Sequence, residues 1–114
     1  GGYSLAGLFS LWSAYKSKTF SGIAAASPSV WFNGWEEFIN NNTPLSKTIY
    51  LSLGDTEEKT KNKVMSVVGD NIRKQEELLK NDHVNTILEW NKGGHFSDSD
   101  LRVAKAFVWC IENS

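Results

Sequence analysis

Three kinds of side chain in this sequence could together transfer an acyl group: a serine hydroxyl, an imidazole and a carboxylate. Ser4 stands in Gly2-Tyr3-Ser4-Leu5-Ala6-Gly7, at the head of a stretch in which Leu5, Leu8, Phe9, Trp12 and Tyr15 recur at spacings of three and four. That spacing predicts a helix with an apolar face. A hydroxyl at a helix start has two aids to acyl transfer, since the Leu5 backbone N–H can face a developing oxyanion and the positive end of the helix dipole lies behind it. The plain alternative for Ser4 is a helix N-cap, a position that favours serine. His95 follows Gly93-Gly94, which lets the backbone approach closely, and precedes Phe96, which can anchor the loop. Imidazole, titrating at ~6.5 in peptides, can take a serine proton and return it to a leaving alcohol. The alternative for His95 is a loop histidine capping the last helix, and His83 reads as solvated. Between serine and histidine, Asp55, Glu57 and Glu58 crowd one loop. Any of the three could orient the imidazole, the others being solvated loop charges.

These groups need elements to hold them. The stretch from Ser21 to Ser27, containing Gly-Ile-Ala-Ala-Ala-Ser, is small and uncharged and is bounded by Gly22 and Pro28, as expected of a strand buried on both faces. Trp31 to Asn42 reads as a short helix that ends at an Asn run and Pro44. A second strand runs over Lys47 to Leu53, closed by Gly54, and a polar loop follows from Asp55 to Lys61. Asn62 to Asn81 repeats apolar residues at Val64, Val68, Ile72 and Leu79, the pattern of an amphipathic helix, although Gly69 weakens it. Val84 to Trp90 is a third strand. After Lys92-Gly93-Gly94-His95-Phe96, a last helix opens with Ser97 or Asp98 as cap and is expected to bury Leu101, Ala104, Val108 and Ile111. Helices alternating with strands predict an α/β fold, a parallel sheet of about three strands flanked by helices. The carboxylate loop and His95 each lie just past the C-terminal end of a predicted strand, where open α/β sheets gather their sites.

Ser4, the carboxylate loop and His95 occur in the order of the α/β-hydrolase triad, and Gly2-Tyr3-Ser4-Leu5-Ala6 resembles the nucleophile elbow G-x-S-x-G of those enzymes. Ala6 departs from it by one methyl group at the last glycine. The resemblance extends over nearly the whole chain. Gly2 to Phe9, Ala25-Ala26-Ser27-Pro28-Ser29-Val30-Trp31 and Gly93-Gly94-His95-Phe96 look like successive blocks of the esterase family that includes esterase D-like and enterobactin esterase-like proteins. It implies that Ser4 is the nucleophile, His95 the base, Glu57 the acid three residues after the glycine that closes its strand, and Leu5 an oxyanion-hole donor. It also implies that Ser27 to Trp31 shape the pocket, with Trp31, Tyr3 and Trp35 in its walls; Trp31 and Trp35 read equally as core. A whole member has further strands upstream, so residues 1–114 are expected to form a single domain that is the C-terminal portion of such an enzyme. Its exposed sheet edge could then support self-association, and its activity alone would be weak or absent.

Composition bounds the rest. The chain has 114 residues, 40% of them hydrophobic, with five Trp, six Phe and three Tyr, which suits one packed core. A formal net charge of -1 with interleaved signs gives no field for nucleic acid or anionic membranes. The single cysteine, Cys110, can form no intrachain disulfide, which fits a reducing, cytoplasmic setting. It is a poor third candidate as nucleophile, lying in an apolar helix with no base nearby. His83 and His95 have no partners at ligand spacing, so no metal or other cofactor is expected. The expected substrate is a small-molecule carboxylic ester. The competing expectation is a noncatalytic module of the same fold, used for binding or assembly.

Overall fold

The computed structural model describes residues 1–114. In chain order the elements are β1 (Gly2–Tyr3), α1 (Leu5–Lys16), β2 (Ile23–Ala26), α2 (Trp35–Asn40), β3 (Thr48–Gly54), α3 (Val68–Asn81), β4 (Asn85–Asn91) and α4 (Ser99–Asn113). The strands form one sheet in the order β1-β2-β3-β4, with every neighbouring pair parallel. The fold is therefore α/β, with four strands where the sequence pattern predicts three. The additional strand, β1, is two residues long and carries no periodicity of its own. It becomes visible only through its pairing, Gly2 with Ala25 and Tyr3 with Ala26.

Strands laid down one after another in a single direction, joined by right-handed crossovers, must send all their connecting helices to one face. Accordingly α1, α2 and α3 share a core with Ile23, Ala25, Ile49, Leu51 and Leu53. The helix α4 follows the last strand of the sheet, β4. It folds back across the opposite face, where Ala106 and Cys110 pack on Ala24, Ala26 and Tyr50. Residues 24 and 26 alternate with 23 and 25 between the two faces, as the pleat requires.

The expected burial of α4 is overturned. Leu101, Ala104, Val108 and Ile111 lie on its exposed side, and Arg102, Ala106 and Cys110 point inward. Two causes act together. Small Ala106 and Cys110 let the helix lie close on an alanine strand, and the Arg102 guanidinium is drawn to the acidic edge of the sheet described below. At α3 the boundary also shifts: Met65–Val67 form a 3₁₀ turn and the α-helix starts at Val68. Val68, Ile72 and Leu79 are buried as the pattern predicts, whereas Val64 is exposed. Gln75 belongs to the buried face too, donating to Tyr15 Oη at 2.7 Å and accepting from Trp35 Nε1 at 2.8 Å. The helix expected over Trp31 to Asn42 is confined to α2, entered through Gly34 in the left-handed region.

Candidate active site

All four strands point their C-terminal ends at one edge, and that edge carries the site. Ser4 directly follows β1 and Ser27 directly follows β2, while Glu57 and His95 come from the loops after β3 and β4. Ser4 has φ 61° and ψ −123°, a conformation that costs an L-residue about 1–3 kcal/mol. Hydrogen bonds hold it there: its N–H donates to the Ala26 carbonyl at 3.1 Å, and its carbonyl accepts from Leu8 at 3.0 Å and Ser29 at 3.1 Å. Gly2 explains why Ala6 is tolerated in this turn. A Cβ on Gly2 would stand 2.6 Å from that of Ala6, so the missing side chain of one residue makes room for the methyl of the other.

The turn aims the Ser4 hydroxyl at His95, with Oγ 3.0 Å from Nε2. On the far side of the ring, Nδ1 lies 2.6 Å from Glu57 Oε1. Burial pushes the Glu57 carboxyl up, but hydrogen bonds from His95, the Gly54 N–H and Ser27 hold it below its ordinary value. An ionised carboxylate can only accept, so Nδ1 carries the proton and Nε2 is left to accept from Ser4. The arrangement thus has the tautomer a general base requires.

Asp55 and Glu58 take other roles. Asp55 accepts from the Gly93 N–H at 3.0 Å, tying together the loops after β3 and β4. Glu58 pairs with Arg73 at 2.8 Å. Of the three carboxylates, Glu57 is the one on the imidazole. Its second oxygen, Oε2, accepts from the Gly54 N–H at 2.6 Å, Ser27 Oγ at 2.8 Å and Arg102 Nη1 at 3.2 Å. Gly54 is required by this crowding, because a Cβ there would meet Gly93, Arg102 and Glu57.

Leu5 is the first residue of α1, so its N–H has no acceptor within the helix and is free for an oxyanion. Trp31 and Trp35 separate. Trp31 lines a cleft of about 320 Å³ beside Glu57 and His95, together with Met65, Val68, Phe96 and Thr60; Trp35 is core, held by Gln75. Tyr3 is not part of that cleft's lining. Its hydroxyl donates to the His95 carbonyl and accepts from Arg102 at 2.9 Å. Cys110 is buried among α4 and β2 residues and desolvation raises its thiol pKa, which suits packing and not nucleophilic attack. His83 is exposed at the opposite end of β4.

Sequence reasoning passes over Arg102, which is 1% exposed and touches this site from α4. The available signal is weak: it shares a helical face with small Ala106 and Cys110, at spacings of four. A second hollow, wholly apolar, is formed by Leu5, Leu8, Phe9, Trp12, Phe32 and Trp35. No helix is long and apolar enough to cross a membrane. Compared with protein-family models, curated proteins and solved structures, the chain has no match.

Proposed function

We propose that this chain carries the catalytic triad of a serine hydrolase of carboxylic esters, related to the α/β-hydrolase esterases that its motifs resemble, and that residues 1–114 alone react slowly. One observation carries the reading: an unbroken hydrogen-bonded line runs from Ser4 Oγ through the His95 ring to a buried carboxylate, Glu57. In the first half-reaction Ser4 Oγ attacks the ester carbonyl carbon as its proton passes to His95 Nε2. The negative oxygen of the tetrahedral intermediate faces the Leu5 N–H at the positive end of α1. As the intermediate collapses, the carbon–oxygen bond to the alcohol breaks and the imidazolium protonates the leaving oxygen. Water then repeats the sequence on the acyl-Ser4, releasing the acid. Glu57 remains ionised throughout and stabilises the imidazolium.

The mixed polar and apolar cleft beside His95 and the apolar hollow that includes Leu5 favour a small ester with an apolar flank on the Leu5 side. In this reading the substrate is a small molecule, nucleic acid and membrane are not partners, and the lone Cys110 goes with a cytoplasmic setting. The edge strand β1, paired on one side only, is the proposed surface for self-association.

The test is covalent labelling with a fluorophosphonate, followed by peptide mapping. Labelling at Ser4 that disappears in Ser4→Ala is expected. An unlabelled wild-type protein that still binds esters would point instead to a noncatalytic binding module.

A further inference from the structure

From the contacts of one side chain we infer that Arg102 is the positioning residue that sets the three groups of the site in register; the inference rests on the serine-hydrolase reading above. Its guanidinium reaches every segment that carries one of them. Nη1 donates to Tyr3 Oη at 2.9 Å, the residue preceding Ser4, and to Glu57 Oε2 at 3.2 Å. Nη2 donates to the Gly94 carbonyl at 2.9 Å, the residue preceding His95. Ser27 Oγ, 3.2 Å from Nη1 and 2.8 Å from Glu57, closes the network at the end of β2. Tyr3 in turn donates to the His95 carbonyl, so the serine turn and the histidine loop are bound to each other as well as to Arg102.

This is a use for a planar fork. Arginine offers donors in several fixed directions, whereas a lysine ammonium is a compact charge on a flexible stem. Packing alone does not account for the residue. A buried guanidinium is expensive to desolvate, and Arg102 Nε is left without any partner. The donors that are satisfied, on Nη1 and Nη2, all face the site. Gly54 clears the space for them, since a Cβ there would stand 2.5 Å from Nη2. Arg102 touches neither the Ser4 hydroxyl nor the imidazole ring, so it acts through Glu57 and through the two loops.

The experiment compares the full chain with Arg102→Met and Arg102→Lys after circular dichroism has established that each is folded. Two quantities are read: the rate of fluorophosphonate labelling at Ser4, and the proton resonance of His95 Nδ1 in its hydrogen bond to Glu57. Arg102→Met is expected to label about 10²-fold more slowly, the scale of a small misplacement of reacting groups, and to lose the resonance to exchange with water. Added guanidinium at a sub-denaturing concentration should return part of the rate to Arg102→Met and none to wild type. Arg102→Lys retains charge but cannot span Glu57 and Gly94 together, so it should also be slowed; it carries the test if the Met variant does not fold. A folded variant that labels at the wild-type rate with its Nδ1 resonance intact overturns the inference. A wild-type protein that does not label at Ser4 overturns the hydrolase reading instead, and the resonance alone then decides whether Arg102 orders the His95–Glu57 pair.

Discussion

Glu57 Oε1 lies 2.6 Å from His95 Nδ1, and the carboxylate that makes this contact is only 6% exposed. The neighbouring Asp55 and Glu58 face Gly93 and Arg73, so three adjacent acids separate into one that fixes a tautomer and two that fix loops. Glu57→Gln should slow labelling of Ser4 by on the order of 10⁴-fold, because an amide N–H can face Nδ1 and put the proton on the wrong nitrogen. Asp55→Asn and Glu58→Gln should stay within roughly tenfold of wild type, since neither meets the imidazole. Equal losses in all three variants would remove Glu57 from its role.

The same carboxyl makes stability depend on pH with a definite sign. Although burial raises its proton affinity, its hydrogen bonds prevail and the folded value lies below the ordinary one. The native state therefore binds the Glu57 proton less readily than the unfolded chain does. Its contribution to stability is complete above the unfolded carboxyl value of ~4.3 and is lost as pH falls through the lower folded value. Urea midpoints measured from pH 7 down to pH 3 should fall in wild type and fall less in Glu57→Gln. Parallel curves for the two proteins would contradict the assignment.

The candidate site was more legible in the sequence than the packing around it, for physical reasons. Ser4 sits in a glycine turn at the head of a periodic helix, and the Asp55 to Glu58 loop and His95 sit beside glycines just after predicted strands, so local signals mark them. Arg102 gives no such signal, because a cation in an amphipathic helix reads as solvent-facing until the Glu57 carboxylate is known to lie beneath it. The face of α4 fails for a related reason. Large apolar residues at Leu101, Val108 and Ile111 outweigh Ala106 and Cys110 in a hydrophobic pattern, yet an alanine strand accepts only the smaller pair. β1 escapes because two residues have no period, and parallel pairing is a tertiary fact.

Gly54 should be among the least replaceable positions. It ends β3 with a hydrogen bond to Glu57, and an added Cβ would press on Gly93, Arg102 and Glu57 together. Gly54→Ala is expected to cost about 1–3 kcal/mol, as overpacking does, and to slow Ser4 labelling by more than its loss of stability explains. Urea unfolding and labelling rates on the same preparation separate the two effects. Wild-type labelling in a folded Gly54→Ala would show that the crowded glycine is not needed for the alignment.

The orientation of α4 can be tested without reference to activity. Ala106 is fully buried, whereas Ile111 on the other side of the helix is 78% exposed. Hydrophobicity alone would rank Ile111 as the core residue and Ala106 as neutral, so the two positions distinguish the observed face from the one the sequence pattern predicts. Ala106→Leu should force the helix away from β2 and cost about 1–3 kcal/mol. Ile111→Lys removes no buried contact and should change stability by no more than about 0.5 kcal/mol. Because Arg102 rides one turn before Ala106 on the same buried face, the displacement in Ala106→Leu should reach Glu57 as well. It should therefore lower the Ser4 labelling rate in protein that is still folded, while Ile111→Lys leaves that rate unchanged. The reverse ranking in urea unfolding would mean that α4 packs through Leu101, Val108 and Ile111 after all, and would carry Arg102 out of the site with it.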